Sequence, residues 1–180
     1  DRVHPGTTGH FIMFCEIISK LEAPEVVSKI AIDANQDEQE IRVQNLRLQN
    51  AQFSESLISF QTCEMSLPFP IGGSLQEAVS FTSFEELYNQ QLFQAEGLPN
   101  KNYALYIEKQ HIGTFDAYDF KNGIDLSLYK NTPQYKQAQE IKRLCAAYRQ
   151  TQYQLRAVAF IQHSYLNDYT GPDDISLKQK

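Results

Sequence analysis

The sequence predicts an α+β fold, and three observations support this class. An apolar helical pattern spans residues 6–21, apolar and polar residues alternate in several stretches between 25 and 115, and a second helical pattern spans 133–166. Apolar residues spaced three and four apart indicate amphipathic helices, whereas strict alternation indicates strands with one solvated face. We therefore predict a β-rich region between two helices.

The first predicted helix occupies residues 6–21. Thr7 or Thr8 is a suitable N-cap, and Ala23-Pro24 ends the segment. So broad an apolar face on a short helix needs a large partner, and residues 25–166 contain no obvious one. We expect at least half of its four central residues to stay uncovered by this chain. The face consists of Phe11, Phe14, Ile18 and Leu21, widened by Ile12, Met13 and Ile17.

The sequence predicts mainly strands and loops in the middle of the chain. Alternation over 25–64 predicts an antiparallel sheet with one solvated face, with a turn at 34–37. Residues 65–83 are expected to be loop-rich because prolines and Gly72-Gly73 interrupt any long element. A short helix is predicted within 84–91. Three strands should follow it, at residues 92–98, 103–107 and 111–115, with the last two forming a hairpin.

The last predicted helix spans residues 133–166. Thr132 is its N-cap candidate, and Pro133 suits its first turn. The helix would be about 50 Å long, more than a small sheet can cover, so part of it should pack elsewhere. Gly171-Pro172 ends it. Its apolar positions are Ala138, Ile141, Cys145, Tyr148, Leu155 and Ala159.

The composition argues against some classes of function. The 180 residues include 16 Lys and Arg against 22 Asp and Glu, a net charge of −6 that argues against a nucleic-acid partner. No apolar run reaches the ~18 residues of a membrane span. Cys15, Cys63 and Cys145 show no metal-binding spacing, which predicts buried, unreactive thiols and leaves one disulfide open.

The sharpest chemical feature is Asp1, three residues before His4-Pro5. A carboxylate can accept a hydrogen bond from one ring nitrogen of a histidine and fix its tautomer, which leaves the other nitrogen to take a proton from a nucleophile. Pro5 keeps His4 extended and outside the helix. We predict that Asp1 orients His4 and that His4 is a general base, although an Asp-x-x-His spacing alone also arises by chance.

The wider pattern, DRVHPGTTGH followed by an apolar helix, closely resembles the last sequence block of the SGNH (GDSL) hydrolases. These are serine esterases and acylhydrolases with a flavodoxin-like α/β/α fold. The resemblance covers residues 1–22 and rests on Asp1, His4, Pro5 and Gly9-His10. It implies that Asp1 and His4 are catalytic and that the helix at 6–21 is the last helix of a hydrolase domain.

The following residues are similar to an extension found in some bacterial members. There, a β-rich segment with Leu-Pro-Phe-Pro (67–70 here) and Ile-Gly-Thr-Phe (112–115 here) precedes a long helix. The implied organisation is the end of an α/β/α SGNH domain at 1–22 and an antiparallel β-rich accessory region at 23–131. A long C-terminal helix at 132–168 and a flexible tail at 169–180 complete it.

The chain also departs from the family. The nucleophile of the family lies in an early Gly-Asp-Ser block, and no Gly-Asp-Ser occurs here; the oxyanion-hole blocks also precede this point. Residue one is Asp1 rather than Met, so we expect a C-terminal fragment that is inactive alone, since one oxyanion donor is worth ~10²–10³ in rate. The expected partners are an ester substrate, acylated carbohydrates included, and the upstream SGNH domain. No metal or organic cofactor, nucleic acid or membrane span is expected.

Other interpretations remain open at this point. A non-catalytic β-sandwich-like module that binds carbohydrate or protein would fit the β-rich region. Asp1, His4 and His10 have the ligand types of a zinc site but lack an obvious fourth ligand. The acidic group Asp33, Asp37, Glu38 and Glu40 is compatible with calcium or a solvated turn, and His111 and His163 should be exposed. The aromatic residues that would line a sugar surface are Tyr103, Tyr106, Phe115, Tyr118 and Tyr129.

Overall fold

The computed structural model describes residues 4–35, 40–54, 56–73 and 75–168, with side chains in the last helix up to His163. The chain forms two compact units, Asp1–Gln139 and Glu140–Lys180. The helices are α1 (Thr7–Lys20), α2 (Leu75–Ser80), α3 (Phe84–Tyr88), α4 (Ala117–Asn122) and α5 (Pro133–Asp168), with a 3-10 turn at Leu126–Leu128. The strands are β1 (Val26–Asp33), β2 (Glu40–Gln44), β3 (Leu46–Phe53), β4 (Ile58–Glu64), β5 (Gln90–Glu96), β6 (Asn102–Ile107), β7 (Gln110–Asp116) and β8 (Ile124–Asp125). The α+β class is confirmed.

The central sheet has the strand order β2-β1-β5-β8 and is mixed. β1 pairs antiparallel with β2, placing Ile30 opposite Val43, but parallel with β5, placing Ile30 opposite Phe93. Within 25–64 the predicted antiparallel pairing is confirmed for β1 with β2 and for β3 with β4. The antiparallel region predicted over 23–131 also contains the parallel pair of β1 and β5, and there the prediction is wrong. Alternation along a strand shows which side chains are buried, but it does not show the direction of the neighbouring strand. Parallel pairing requires a long crossover connection, and residues 34–89 are long enough to form it.

Two further strand pairs are local hairpins. β3 pairs antiparallel with β4, and β6 with β7. The second hairpin confirms the prediction over 103–115. Its turn contains Glu108 with φ of 55°, a left-handed conformation that few residues other than glycine adopt readily.

The main core lies between β1, β5 and α4. Phe93 of β5 meets Phe120 of α4 edge to face at 5.5 Å, and Phe115 of β7 packs on the same ring at 5.7 Å. A Cβ on Gly113 would lie 2.7 Å from the Phe115 ring, so glycine is needed there for the ring to lie across its own strand. The Ile-Gly-Thr-Phe motif therefore has a packing role.

Helix α4 was not predicted. Asp116 accepts a hydrogen bond from the Asp119 amide, and the Asp119 carboxylate accepts one from the Asp116 amide, which together form a capping box. Gly123 ends the helix with φ of 98°. The Asn-Gly pair at its end predicts a turn, and a helix of six residues is too short to show a clear period.

Helix α5 confirms the predicted long C-terminal helix. The Thr132 hydroxyl accepts a hydrogen bond from the Tyr135 amide at 3.2 Å, as expected of an N-cap, and Pro133 is the first helical residue. The buried Tyr135 hydroxyl donates to the Ile71 carbonyl at 2.7 Å. In the second unit, the Glu140 carboxylate accepts two hydrogen bonds from Arg143, at 2.7 and 2.8 Å.

The cysteine prediction is wrong at two of three positions. Cys63 and Cys145 are exposed, Cys15 is half-buried, and all three thiols are free. Burial raises the pKa of the Cys15 thiol above its ordinary value. Among the described residues, no helix combines the length and the apolar character needed to cross a membrane.

Candidate functional site

His4 lies at the surface, in the extended segment that leads into α1. Gly6 is the N-cap and its backbone is extended, so the prediction of Thr7 or Thr8 as the cap is wrong. Thr7 and Thr8 are the first two helical residues, so neither occupies the capping position. Asp1 lies outside the described residues, and its pairing with His4 stays a prediction.

Pro5 packs against the first turn of α1. A Cβ placed on Gly9 would lie 2.8 Å from the Cβ of Pro5, closer than such atoms approach in proteins. Gly9 is therefore needed for the proline to lie against the helix. This contact sets the direction in which the chain leaves the helix toward His4.

His10 stabilises the same turn through hydrogen bonds. Its backbone amide and its ring Nδ1 both donate to the Gly6 carbonyl oxygen at 3.0 Å. Because a carbonyl can only accept, Nδ1 carries the proton. His10 thus has a structural role in the turn. Within the described ranges, no group of three or more His, Cys, Asp or Glu side chains is arranged to hold a metal ion.

An aromatic cluster anchors α1 to the following region. Phe11 is buried and meets Phe84 of α3 at 5.2 Å, while Phe14 and Phe69 approach the same ring at 6.1 and 5.7 Å. Aromatic pairs at these distances add to the stability that burial alone provides. Ile71, Ala78 and Val79 complete the cluster.

The Leu-Pro-Phe-Pro motif is held in place by one side chain. Asn89 is 2% exposed; its Oδ1 accepts from the Phe69 amide at 2.6 Å, and its Nδ2 donates to the Phe69 carbonyl at 3.2 Å. The side-chain amide of Asn89 thus bonds both polar backbone groups of Phe69, as a neighbouring β-strand would. Phe69 is fixed against Phe14 and Phe84, so the motif positions α1. No sequence pattern pointed to Asn89.

The other face of α1 is open. At least half of four residues were expected to stay uncovered: Leu21 is 74% exposed and Phe14 38%, while Ile18 is half-buried and Phe11 is buried. The expectation is met clearly at Leu21 and in part at Phe14, which also packs on Phe84. Phe11 is covered by α2, which lies in the stretch predicted to be loop-rich, and by α3, which confirms the short helix predicted within 84–91. The exposed apolar residues of the helix are Ile12, Met13, Phe14 and Ile17, followed by Leu21.

The aromatic residues considered for sugar binding do not form one surface. Tyr103, Phe115 and Tyr129 pack against the core, whereas Tyr106 and Tyr118 are exposed. Tyr118 lines a shallow cleft of about 310 Å³ with Glu96, Asn100 and Lys121. His111 and His163 are exposed, as expected. In the acidic group, Asp33 accepts hydrogen bonds from Asn35, while Asp37 and Glu38 lie outside the described residues.

Comparison with known proteins gives one similar solved structure. Neither a family model nor a curated protein matches the sequence. A solved structure described as a gut microbial diltiazem-metabolizing enzyme superposes with a TM-score of 0.78 and 29% sequence identity, over 93% of this chain and 40% of that chain. The chain is similar to part of a drug-metabolizing enzyme.

This likeness extends beyond the β-rich region. Only about 7% of the chain falls outside the match to the diltiazem-metabolizing enzyme, so the similarity takes in helical as well as sheet segments. The chain spans about two fifths of that enzyme's length.

Proposed function

We propose that this chain is the C-terminal part of an SGNH-type serine acylhydrolase that cleaves carboxylic esters. The supporting observation is the similarity of nearly the whole chain to part of an enzyme that metabolizes diltiazem, with an Asp-x-x-His-Pro segment directly before α1. The substrate would be a carboxylic ester, with acylated carbohydrates among the candidates.

In the proposed mechanism, a serine upstream of this chain attacks the acyl carbon. His4 takes the serine proton as general base and returns it to the leaving alcohol as general acid. Asp1 accepts a hydrogen bond from the imidazole, which fixes its tautomer and stabilises the imidazolium that forms. The mechanism requires no metal or organic cofactor.

The turn around α1 supports this role for His4. Gly6 is held by two hydrogen bonds from His10, and Pro5 lies against Gly9, so the backbone on the helix side of His4 is fixed. A general base has to be held within hydrogen-bond reach of its nucleophile, and misplacement by about 1 Å can cost ~10²-fold in rate.

The test is made in the longer protein, with its upstream region. His4→Ala should abolish turnover of a small activated ester and leave thermal stability nearly unchanged, because an exposed imidazole contributes little packing. Asp1→Asn should also be severe, by up to ~10⁴-fold as in other triads, since it favours the wrong tautomer. His111→Ala, which removes an exposed histidine of the β6–β7 hairpin, is the matched control and should retain full activity.

The 180-residue chain alone provides a second test. It should hydrolyse no ester and take up no serine-directed phosphonate probe, because the proposed nucleophile lies upstream. Labelling of a serine in this chain, or full activity in the His4→Ala variant of the longer protein, would refute the proposal.

A second candidate, carbohydrate binding, rests on the cleft beside Tyr118. An exposed tyrosine next to Glu96, Asn100 and Lys121 combines a ring that can stack on a sugar with polar groups that can bond its hydroxyls. If the cleft binds sugars, titration calorimetry of this chain with oligosaccharides should give a signal that Tyr118→Ala removes and Tyr106→Ala, at an exposed tyrosine outside the cleft, retains.

A further inference from the structure

The second unit of the molecule carries an apolar stripe along α5. Five large apolar side chains recur at three-, four- and seven-residue steps and are 47–65% exposed. With Thr151 in the one remaining position, they occupy the a and d positions of three successive heptads, the pattern of a coiled-coil seam. The seam consists of Ile141, Leu144, Tyr148, Thr151, Leu155 and Val158.

Charged residues lie off this seam. The positions flanking it, which correspond to e and g of the heptad, carry one charge, that of Glu140, whose carboxylate is paired with Arg143; the other six are uncharged: Cys145, Ala147, Gln152, Gln154, Ala159 and Ile161. The basic side chains of this stretch occupy the outer b and c positions: Lys142, Arg143, Arg149 and Arg156. A second copy of the helix would therefore meet no like charge across the seam, whereas an acidic partner would find no basic residue at its edges.

We propose that the seam binds the seam of a second copy of this chain, in an antiparallel two-stranded coiled coil. One antiparallel register places Ile141 against Val158 and Leu144 against Leu155 of the other copy. The same register places Tyr148 against Thr151, so the largest side chain of the seam faces its smallest. By symmetry each layer occurs twice, and every apolar residue of the seam meets a partner.

The parallel alternative is less favourable. It would stack Tyr148 on its own copy and leave Thr151 facing Thr151.

Light scattering of the full 180-residue chain tests the dimer. The wild type should show the mass of two chains, and Leu155→Glu should show the mass of one. Tyr153→Glu is the matched control: Tyr153 is 70% exposed and Leu155 65%, but Tyr153 lies on the outer face of the helix. The control should stay dimeric, and circular dichroism should show helical content and thermal unfolding of the first unit retained in both variants.

Three outcomes would overturn the dimer. A monomeric wild type would mean that another part of the longer protein or a different protein covers the seam. A dimeric Leu155→Glu variant, or an equal loss of the dimer in Tyr153→Glu, would place the interface elsewhere.

Disulfide trapping tests the orientation, in chains whose exposed Cys63 and Cys145 are replaced by serine. Leu144→Cys and Leu155→Cys chains, mixed and oxidised, should form a covalent dimer. Leu144→Cys alone should not, because in the antiparallel register its two copies lie about 16 Å apart along the axis, beyond disulfide reach. Cross-linking of Leu144→Cys with itself and not with Leu155→Cys would overturn the antiparallel orientation.

Discussion

At the scale of single residues, the contact between Pro5 and Gly9 links the backbone of α1 to the position of His4. We predict that Gly9→Ala lowers ester turnover by the longer protein by about 10²-fold, because the new Cβ would lie 2.8 Å from the Pro5 Cβ and push the segment carrying His4 away. Steady-state kinetics would show the loss mainly in kcat.

The matched control is Gly6→Ala. It lies in the same turn, but a Cβ there meets nothing within 4 Å, and its φ of −69° suits any residue. Turnover should change little. Equal effects of the two substitutions would contradict the role assigned to the Pro5–Gly9 contact.

Glu85 affects how the stability of the fold depends on pH. Burial, followed by the nearby carboxylates of Glu86 and Asp125, raises the pKa of Glu85 above its ordinary value. A carboxyl whose pKa is raised by folding stabilises the fold while it is protonated, and this stabilisation is lost as the pH rises through the folded-state pKa.

We therefore predict that Glu85→Gln stabilises the chain at neutral pH, by roughly 0.5 kcal/mol or less after allowance for solvent screening. The advantage should disappear at acidic pH, where Glu85 is itself protonated. Urea unfolding at both pH values measures the difference. A variant that is more stable than the wild type by the same amount at both pH values would contradict this account.

At the scale of elements, Asn89 connects α3 to the Leu-Pro-Phe-Pro loop and, through Phe69, to α1. Asn89→Ala would remove the two hydrogen bonds that Asn89 makes to the Phe69 amide and carbonyl, and the loss of such bonds at a buried site costs about 1–3 kcal/mol each. We predict a large fall in the thermal midpoint together with weaker protection of α1 in hydrogen exchange. Asn100→Ala, at an exposed asparagine, should have almost no effect.

The sequence predicts the elements that have a clear period. The apolar spacing of α1 and α5 and the alternation in β6 and β7 match the structure because each pattern extends over several turns or residue pairs. Helices α2 and α4, with six residues each, are too short for a period to show. The parallel pairing of β1 with β5 depends on contacts between distant residues, which no local pattern reports.

The candidate site could be predicted only where a motif marks it. Asp1 and His4 stand out because of the residues around them. The need for glycine at position 9 comes from its contact with Pro5, which only the structure shows. Asn89 stands in a polar stretch without any motif. Its role depends on a loop 20 positions earlier in the chain.

At the scale of the whole molecule, the exposed face of α1 would, under the proposed function, pack on an upstream hydrolase domain. Ile17 is 56% exposed in this chain, so Ile17→Lys should leave its thermal stability almost unchanged. In the longer protein, where we expect this face to pack on a hydrolase domain, the same change should cost about 2–4 kcal/mol because it buries a charge. Thermal unfolding of both forms measures the contrast, and Glu16→Lys, at an exposed polar position, is the control.

The mixed sheet also has a consequence for the order in which the chain folds. Leu105 and Gly113 are paired across eight positions of the sequence, whereas Ile30 and Phe93 are paired across 63. Closing a long loop costs more chain entropy before its contacts can form, so nearby strands associate sooner than distant ones. The β6–β7 hairpin is therefore expected to form early. The pairing of β1 with β5, which completes the sheet, is expected to form late. Until then, the edges of both central strands are open to pairing with other chains, which makes the partly folded protein prone to aggregation at high concentration.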